Sequence, residues 1–204
     1  MHDWRDDRVI VRNEKPEVLL TFDDGPTEYL PEILSILKAE DVQGLFFWQT
    51  ALVGDDGSPW QRVLDEGHLL GSHAHSHPML TELSYEAQLE EMETSINILE
   101  QLTGESVRWF RPPYGLYNED TIKIAEKLNL DIVLWQVASW DWQHETNEDR
   151  IIENVREYTG PGDLVLLHEL PQTVNVLREL IGTLRQKGIR LSRPYTALRM
   201  RTGM

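Results

Sequence analysis

The chain has 204 residues, 40% of them hydrophobic and 26% charged, so it is long enough to bury one sizeable core. A single domain over residues 1–204 is expected. The formal net charge of -16 repels phosphate backbones and anionic lipid headgroups, which argues against nucleic acid and membrane surfaces as partners. A neutral or cationic substrate fits this charge better, although an acidic surface kept for solubility explains most of it equally well.

The sequence lacks several features that would direct its chemistry or its location. It contains no cysteine, so any metal must be held by histidine and carboxylate side chains. No apolar run approaches the roughly 20 residues that a membrane-spanning helix requires, so membrane insertion is not expected. The first residues lack a basic region followed by an apolar one, so the sequence as given predicts a cytoplasmic protein without a signal peptide. If the sequence was trimmed at its start, the cell envelope or secretion is expected instead. The oligomeric state is left open.

Short apolar runs alternate with segments of helical period, a pattern typical of βα units and a parallel sheet or barrel. The predicted strands are Val18–Phe22, Leu45–Trp48, His68–Ser72, Val107–Arg111, Ile132–Val137, Leu164–Leu167 and Ile189–Leu191. Apolar stripes at helical spacing lie between them: Leu30, Ile33, Leu34 and Leu37, and then Leu89, Met92, Ile96 and Leu99. The predicted helix boundaries are Ser58–Pro59, Gly67, Asn118, Asn147 and Gly188. The fold class is therefore α/β.

The polar residues that do not fit a buried strand fall at one end of the predicted strands. They are Asp23, Asp24, His73, Arg111, Asp141 and His168. The C-terminal ends of barrel strands carry the active site, because the loops there converge over the barrel mouth. The sequence therefore predicts one functional rim.

Two histidines four residues apart, His73 and His77, make the strongest local signal. Together with a carboxylate from another strand end, they would form a three-ligand set that leaves a hydrolytic metal room for water. Two exposed loop histidines also occur at this spacing by chance, so a metal site is predicted only if a suitably placed carboxylate accompanies them.

That carboxylate is sought in the run from Thr21 to Pro26, where Asp23 and Asp24 follow an apolar strand and precede a turn. Turn formation or helix capping explains Asp24 as well as metal binding does. Neither explains a second acid at Asp23. Adjacent residues in extended backbone point in different directions, so the pair can divide roles, one binding metal and one facing the water that attacks.

These residues resemble the polysaccharide deacetylases of carbohydrate esterase family four, which share the NodB homology domain. Five motifs match in order between Thr21 and His168. The resemblance implies a distorted or incomplete (β/α) barrel of about seven parallel strands, of the glycoside hydrolase/deacetylase type. It also implies that Asp23 is the catalytic base and that Asp24, His73 and His77 are the metal ligands.

The second motif departs from the family pattern at one position. The family has a serine or threonine after the first histidine, and this chain has Ala74 there, followed by an extra histidine, His75. That hydroxyl usually braces the loop. Its absence therefore puts the rigidity of the loop and the affinity for metal in question, more than the identity of the ligands.

The third motif is unaltered and runs from Phe110 to Gly115. The resemblance implies that Arg111 orients Asp23 and that the backbone N–H of Tyr114 donates to an oxyanion. Pro113 and Tyr114 are expected to contribute to substrate binding, in a loop stiffened by its two prolines. The alternative for Arg111 is an ion pair at the surface.

The fourth and fifth motifs complete the set. In the fourth motif, Ala138 replaces the first acid, whereas Asp141 and Trp142 are present. Asp141 is expected to orient the general acid, and Trp142 is expected to form a wall of the sugar groove. Trp140 is either a second sugar platform or a core residue. In the fifth motif the resemblance implies that Leu166 contacts the acetyl methyl group and that His168 is the general acid. The alternative for His168 is a structural histidine that caps a strand end.

The function implied is that of a metal-dependent hydrolase, acting on carbon–nitrogen bonds other than peptide bonds, that removes N-acetyl groups from a polysaccharide containing N-acetylglucosamine. Chitin, peptidoglycan and exopolysaccharide all present this group, and so does a small N-acetylated sugar. The expected cofactor is a divalent metal, zinc first, with cobalt, nickel or manganese as alternatives. The alternative function is a non-catalytic carbohydrate-binding member of the same fold. A glycosidase is disfavoured because adjacent acids cannot flank a glycosidic bond. Two segments, Gly54–Gly57 and Gln143–Thr146, either line a groove or are solvent loops.

Overall fold

The computed structural model describes residues 6–54 and 59–191. The strands are β1 (Val9–Ile10), β2 (Leu19–Gly25), β3 (Gly44–Trp48), β4 (Leu69–Ser72), β5 (Trp109–Phe110), β6 (Asp131–Val133), β7 (Val137–Ala138) and β8 (Leu164–His168). The helices are α1 (Leu30–Ala39), α2 (Pro59–Asp65), α3 (Tyr85–Thr103), α4 (Glu119–Lys127), α5 (Glu148–Tyr158) and α6 (Pro171–Gln186). None of these helices is both long and apolar enough to cross a membrane.

The strands form one parallel sheet in the order β1-β6-β5-β4-β3-β2-β8-β7. Strands β6 and β7 lie near opposite ends of this order, yet only residues 134–136 join them. Within that short connection, the Leu134 N–H donates to the Ile10 carbonyl at 2.8 Å and the Gln136 N–H donates to the Leu164 carbonyl at 3.0 Å. The sheet must therefore curl until its ends approach each other. This curled half-barrel confirms the predicted incomplete (β/α) barrel.

The central strands are buried on both faces, which explains their continuous apolar sequence. Alternate residues such as Leu20, Phe22 and Phe46 belong to the large cluster that includes the inner faces of the helices. Their neighbours belong to a smaller cluster: Leu19, Leu45, Phe47, Leu69, Trp109, Val133 and Leu164. This second cluster holds side chains from six strands. It also supports the site described below, since the guanidinium carbon of Arg111 stacks on Phe47, 4.2 Å from the ring centroid.

Two strand predictions need correction, and one strand was missed. The predicted strand Ile132–Val137 is two strands, because the chain leaves β6 after Val133 and crosses to β7 at the other end of the strand order. The predicted last strand, Ile189–Leu191, forms only an isolated bridge between Val18 and Leu191. Strand β1 was not predicted, since a strand of two residues is too short to show a period.

The helix signals are confirmed in part. All four residues of the first stripe are buried in α1, whereas in the second stripe Leu89 is only partly buried. Asn118 forms a capping box with Thr121 at the start of α4. Asn147 occupies the corresponding position of α5, but its side chain makes no capping hydrogen bond there. The predictions that concern residues 55–58, including Ser58, lie outside the described residues.

Candidate active site

One cleft of about 370 Å³ opens at the C-terminal ends of the strands. It is lined by Asp23, Asp24, His73, His77, Tyr114, Gly115, Trp135, Trp142, Leu166 and His168. Most of the residues singled out in the sequence therefore meet at one rim, as predicted. Arg111, Pro113 and Asp141 are buried and are not among the residues that line the cleft.

The end of β2 does not remain extended, contrary to the expectation from sequence. The register between β2 and β3 shifts between Asp23 and Gly25, and Asp24 has a left-handed backbone with a φ of 66°. As a result both carboxylates approach the same imidazole. The Nε2 atom of His73 lies 3.7 Å from Asp23 Oδ2 and 3.6 Å from Asp24 Oδ1. The two acids do divide, however, because Asp23 is buried and 39% of the Asp24 side chain is exposed.

Asp24, His73 and His77 form a group that could hold a metal ion, with potential ligand atoms within 4.8 Å of one another. His77 Nε2 lies 3.3 Å from Asp24 Oδ1. The side-chain amide of Gln49 also donates to Asp24 Oδ1, at 2.7 Å. This donor set suits a divalent metal such as zinc, since it supplies two imidazoles and one carboxylate.

The tautomer of His73 follows from its hydrogen bond. Its Nδ1 lies 2.6 Å from the backbone carbonyl of Arg111, and because a carbonyl can only accept, Nδ1 carries the proton. The lone pair of Nε2 is then directed to the site, as a metal ligand requires. Burial also lowers the pKa of His73, against the opposing charges of Asp23 and Asp24, which favours this neutral form.

Arg111 is fully buried, which rules out the alternative of a surface ion pair. Its Nη1 donates to Asp23 Oδ1 at 2.7 Å and to the Thr21 hydroxyl at 2.8 Å. Its other nitrogens donate to the carbonyls of Val133 and Leu134 at 3.0 and 2.8 Å. The guanidinium is thus fixed by several contacts, and it occupies one oxygen of Asp23 while leaving Oδ2 on the side of His73.

His168 ends β8, the neighbour of β2, in register with Asp23, and its side chain pairs with Asp141. The Nδ1 atom of His168 lies 2.7 Å from Asp141 Oδ1, so the other nitrogen, Nε2, is on the side of Asp24, 3.9 Å from its Oδ2. Asp141 is held by further donors: the Thr173 hydroxyl and the His168 backbone N–H at 2.7 Å each, and the Trp142 backbone N–H at 3.0 Å. The alternative of a mere strand cap does not explain an imidazole braced in this way.

The pKa of His168 reflects two opposing causes. Burial lowers it, but the hydrogen bond that His168 donates to Asp141 and the charges of Asp141, Asp23 and Asp24 outweigh burial, so the pKa lies above the ordinary value of 6.5. The raised pKa favours the protonated imidazolium, which is the form that a general acid needs.

Aromatic residues form the wall of the cleft beside His168. The Trp142 ring centroid lies 4.9 Å from the His168 ring and 4.9 Å from the Trp140 ring. Trp140 is 44% exposed and has a left-handed φ of 61°, so it is not a core residue. On the other side of the cleft, Tyr114 is 57% exposed and its ring lies 4.7 Å from the ring of His77.

Several residues that shape the site were not predicted. Trp135 was assigned to a strand, although it lies just beyond the end of β6, which places it at the rim. Gln49 follows β3, and its position at a strand end was the signal that could have identified it. Thr173 has no such signal, because its contact with Asp141 depends on how α6 packs.

Comparisons with known proteins identify the family of the chain. The sequence model of a family described as polysaccharide deacetylase matches residues 11–133, more than half of the chain. The chain is 36% identical over 186 residues to a peptidoglycan-N-acetylglucosamine deacetylase of Bacillus cereus, covering 86% of this chain and 66% of that protein. It is 32% identical to the peptidoglycan-N-acetylmuramic acid deacetylase PdaC of Bacillus subtilis, covering 85% of this chain and 37% of that protein. The chain belongs to the polysaccharide deacetylase family.

Solved structures show the same fold. A peptidoglycan N-acetylglucosamine deacetylase in complex with 4-naphthalen-1-yl-N-oxidanyl-benzamide has a TM-score of 0.85 and 33% identity, covering 91% of this chain and 90% of that chain. A CE4 family pseudoenzyme from Bacillus anthracis has a TM-score of 0.83 and 30% identity, covering 89% of this chain and 66% of that chain. Because a pseudoenzyme shares the fold, activity has to be argued from the residues of the site.

Proposed function

We propose that this protein is a metal-dependent hydrolase that removes acetyl groups from the N-acetylated sugars of a polysaccharide. The observation that carries the proposal is the placement of two buried pairs around one ligand set. Asp23, backed by Arg111, and His168, backed by Asp141, both lie beside the Asp24 carboxylate and its histidines. A base and an acid on two sides of a metal site are what amide hydrolysis requires.

The metal would be held by Asp24, His73 and His77, and zinc is the ion that fits this donor set best. When bound, a divalent ion supplies Lewis acidity, which polarises a carbonyl and makes water more acidic. The ligands are arranged for this role by the protein, since Gln49 orients Asp24 and the Arg111 carbonyl orients His73.

Asp23 is the proposed base. Its Oδ1 is occupied by the guanidinium of Arg111, so Oδ2 is the oxygen available to take a proton from water as the water attacks the acetyl carbonyl. The attack produces a tetrahedral oxyanion, to which the backbone N–H of Tyr114, on the rim of the cleft, is assigned as donor.

His168 is the proposed acid. Its Nε2 gives a proton to the sugar nitrogen as the carbon–nitrogen bond breaks, which releases acetate and leaves a free amine on the sugar. The hydrogen bond from Nδ1 to Asp141 holds the imidazole in place throughout. The reaction needs no covalent intermediate with the protein.

The substrate class proposed is a polymer that contains N-acetylglucosamine, with peptidoglycan favoured because relatives carry that substrate in their names. Leu166 lines the base of the cleft, where an acetyl methyl group would be accommodated. Trp142 and Trp140 form an exposed aromatic surface beside it, which suits stacking against successive pyranose rings.

A non-catalytic role is the second candidate, because a solved relative of similar fold is named a pseudoenzyme. The residues argue against it for this chain. A protein that only binds sugars needs neither the pair of Asp23 and Arg111 nor that of Asp141 and His168, and both are complete here.

The proposal is tested by acetate release. We expect the zinc-loaded protein to release acetate from N-acetylglucosamine oligomers or from peptidoglycan fragments, and to stop when a chelator removes the metal. Zinc added back in excess should restore the release. If none of these substrates yields acetate from the metal-loaded protein but they bind to it, the protein is a carbohydrate-binding member of the family.

A further inference from the structure

The loop that carries His73 and His77 has to be held in an unusual backbone conformation. Ala74 and His77 both have left-handed φ values, of 65° and 62°. Residues other than glycine disfavour this region, so contacts from outside the loop must hold it. The buried Ala74 side chain offers no polar atom for this purpose, although its backbone N–H donates to the Ser72 hydroxyl at 3.2 Å.

Helix α3 supplies a brace. The Glu91 carboxylate accepts two adjacent backbone N–H groups of the loop at Oε2, from His75 at 3.1 Å and from Ser76 at 2.9 Å. Its Oε1 accepts from the Ser76 hydroxyl at 2.7 Å. Hydrogen bonds to an ionised carboxylate are about twice as strong as those between neutral groups. One side chain therefore fixes the middle of the loop between the two ligands.

The opposite side of the loop is held by the turn after β3. The backbone N–H groups of Thr50 and Ala51 donate to the carbonyls of Ala74 and His75 at 3.3 and 2.9 Å. The Thr50 hydroxyl shares a hydrogen bond of 3.0 Å with His75 Nδ1. The loop thus lies between this turn and Glu91, and loss of either side would free it to relax.

We infer that Glu91 is a positioning residue for the metal site, one that sets the separation of His73 and His77. Glu91 does not itself belong to the ligand set. Its effect on metal passes through the backbone of residues 75 and 76. The inference rests on the proposed function, because it assigns a supporting residue to the metal site proposed there.

The test is metal affinity, measured by competition with a chromophoric zinc chelator. We expect Glu91→Ala to bind zinc about 10- to 100-fold more weakly, the range typical of lost supporting contacts around a metal. Glu91→Gln should lose less, because its amide oxygen can still accept from the two backbone N–H groups. The matched control is Glu90→Ala, which removes an exposed acid from the neighbouring position of the same helix and should leave the affinity unchanged.

Folding is checked separately. Circular dichroism and thermal unfolding of the metal-free variants should show that Glu91→Ala retains the fold, and if it does not, Glu91→Leu, which also removes both acceptor oxygens, carries the comparison. Zinc affinity of folded Glu91→Ala or Glu91→Leu within twofold of the Glu90 control would overturn the inference. Affinity that depends on Glu91 while the wild-type protein releases no acetate would uphold the inference and refute the proposed function.

Discussion

The pairs Asp23–Arg111 and Asp141–His168 differ from the ligand set Asp24, His73 and His77 in whether the protein itself supplies a close partner for each polar group. Arg111 with Asp23 and Asp141 with His168 are joined by hydrogen bonds of 2.7 Å, and all but His168, whose side chain is 14% exposed, are buried. In the ligand set, Asp24 Oδ1 lies 3.3 and 3.6 Å from the two imidazole nitrogens, and Asp24 is partly exposed. The proposed acid and base are thus each completed by a partner within the protein, whereas the proposed ligand set would be completed by an ion.

The first prediction concerns the pair that the protein completes most fully. Arg111→Met should lower the free energy of unfolding by about 3–5 kcal/mol, because it leaves the Asp23 carboxylate buried without its partner. Denaturant unfolding of the metal-free protein measures this. The control is Arg150→Met, which breaks an exposed pair with Glu153 and should cost less than about 1 kcal/mol. Equal losses of unfolding free energy in Arg111→Met and Arg150→Met would contradict the view that the buried Asp23 carboxylate depends on Arg111.

The second prediction concerns the ligand set. Zinc at about 100 times its Kd should raise the free energy of unfolding by about 2.7 kcal/mol, because the ion binds the folded state only. His77→Ala should abolish most of this gain, whereas His144→Ala, at a histidine outside the set, should keep it. Denaturant unfolding with and without zinc gives the difference, and a gain that survives in His77→Ala would place the metal elsewhere.

The third prediction concerns pH. Asp141 raises the pKa of His168, so Asp141→Asn should lower that pKa. The proposed acid is the protonated form of His168, so activity falls as the pH rises through its pKa. In Asp141→Asn this fall should therefore occur at a lower pH than in the wild-type protein. The rate should also fall, by about 100-fold. The pH profile of kcat/KM measures both effects.

A milder change at the same pair provides the control. Thr173→Val removes only the hydroxyl that donates to Asp141 Oδ2. The fall of kcat/KM on the alkaline side should therefore also move to lower pH, but by less than in Asp141→Asn. An unshifted basic limb in Asp141→Asn would remove His168 from the role of acid.

The smallest expected effect lies outside both regions, at the exposed wall. Trp140→Ala should raise the KM for longer N-acetylglucosamine oligomers by about 3- to 10-fold, the loss of one aromatic stacking contact. The shortest substrate should be unaffected. Tyr158→Ala, at an exposed aromatic on α5, is the control and should change neither value. If the KM in Trp140→Ala is unchanged for every length, Trp140 is not a sugar platform.

Sequence patterns predicted the parts of the molecule that depend on local periodicity. The buried strands from β2 to β4 and β8 were found because both of their faces are covered, which leaves long apolar runs. The site was found because its polar residues interrupt those runs at one end. What could not be predicted depends on tertiary packing: the crossing of residues 134–136 and the contact of Glu91 with a loop many residues away in the sequence.

The conformation of Asp24 is a further case. An acid before glycine and proline predicts a turn, but its left-handed φ and the approach of both carboxylates to His73 follow from the register shift against β3. The burial of Arg111 was likewise left open by the sequence, because the same residue type is common in surface ion pairs.

The assignment of Asp23 as the base is tested most directly by measuring zinc affinity and acetate release on the same preparation of Asp23→Asn. We expect zinc to bind almost as in the wild-type protein, since Asp24, His73 and His77 remain, while acetate release falls by about 1,000-fold or more with the loss of the base. Glu153→Gln, a carboxylate-to-amide change at the surface, should alter neither. Acetate release at the wild-type rate by Asp23→Asn would contradict the assignment of Asp23 as the base.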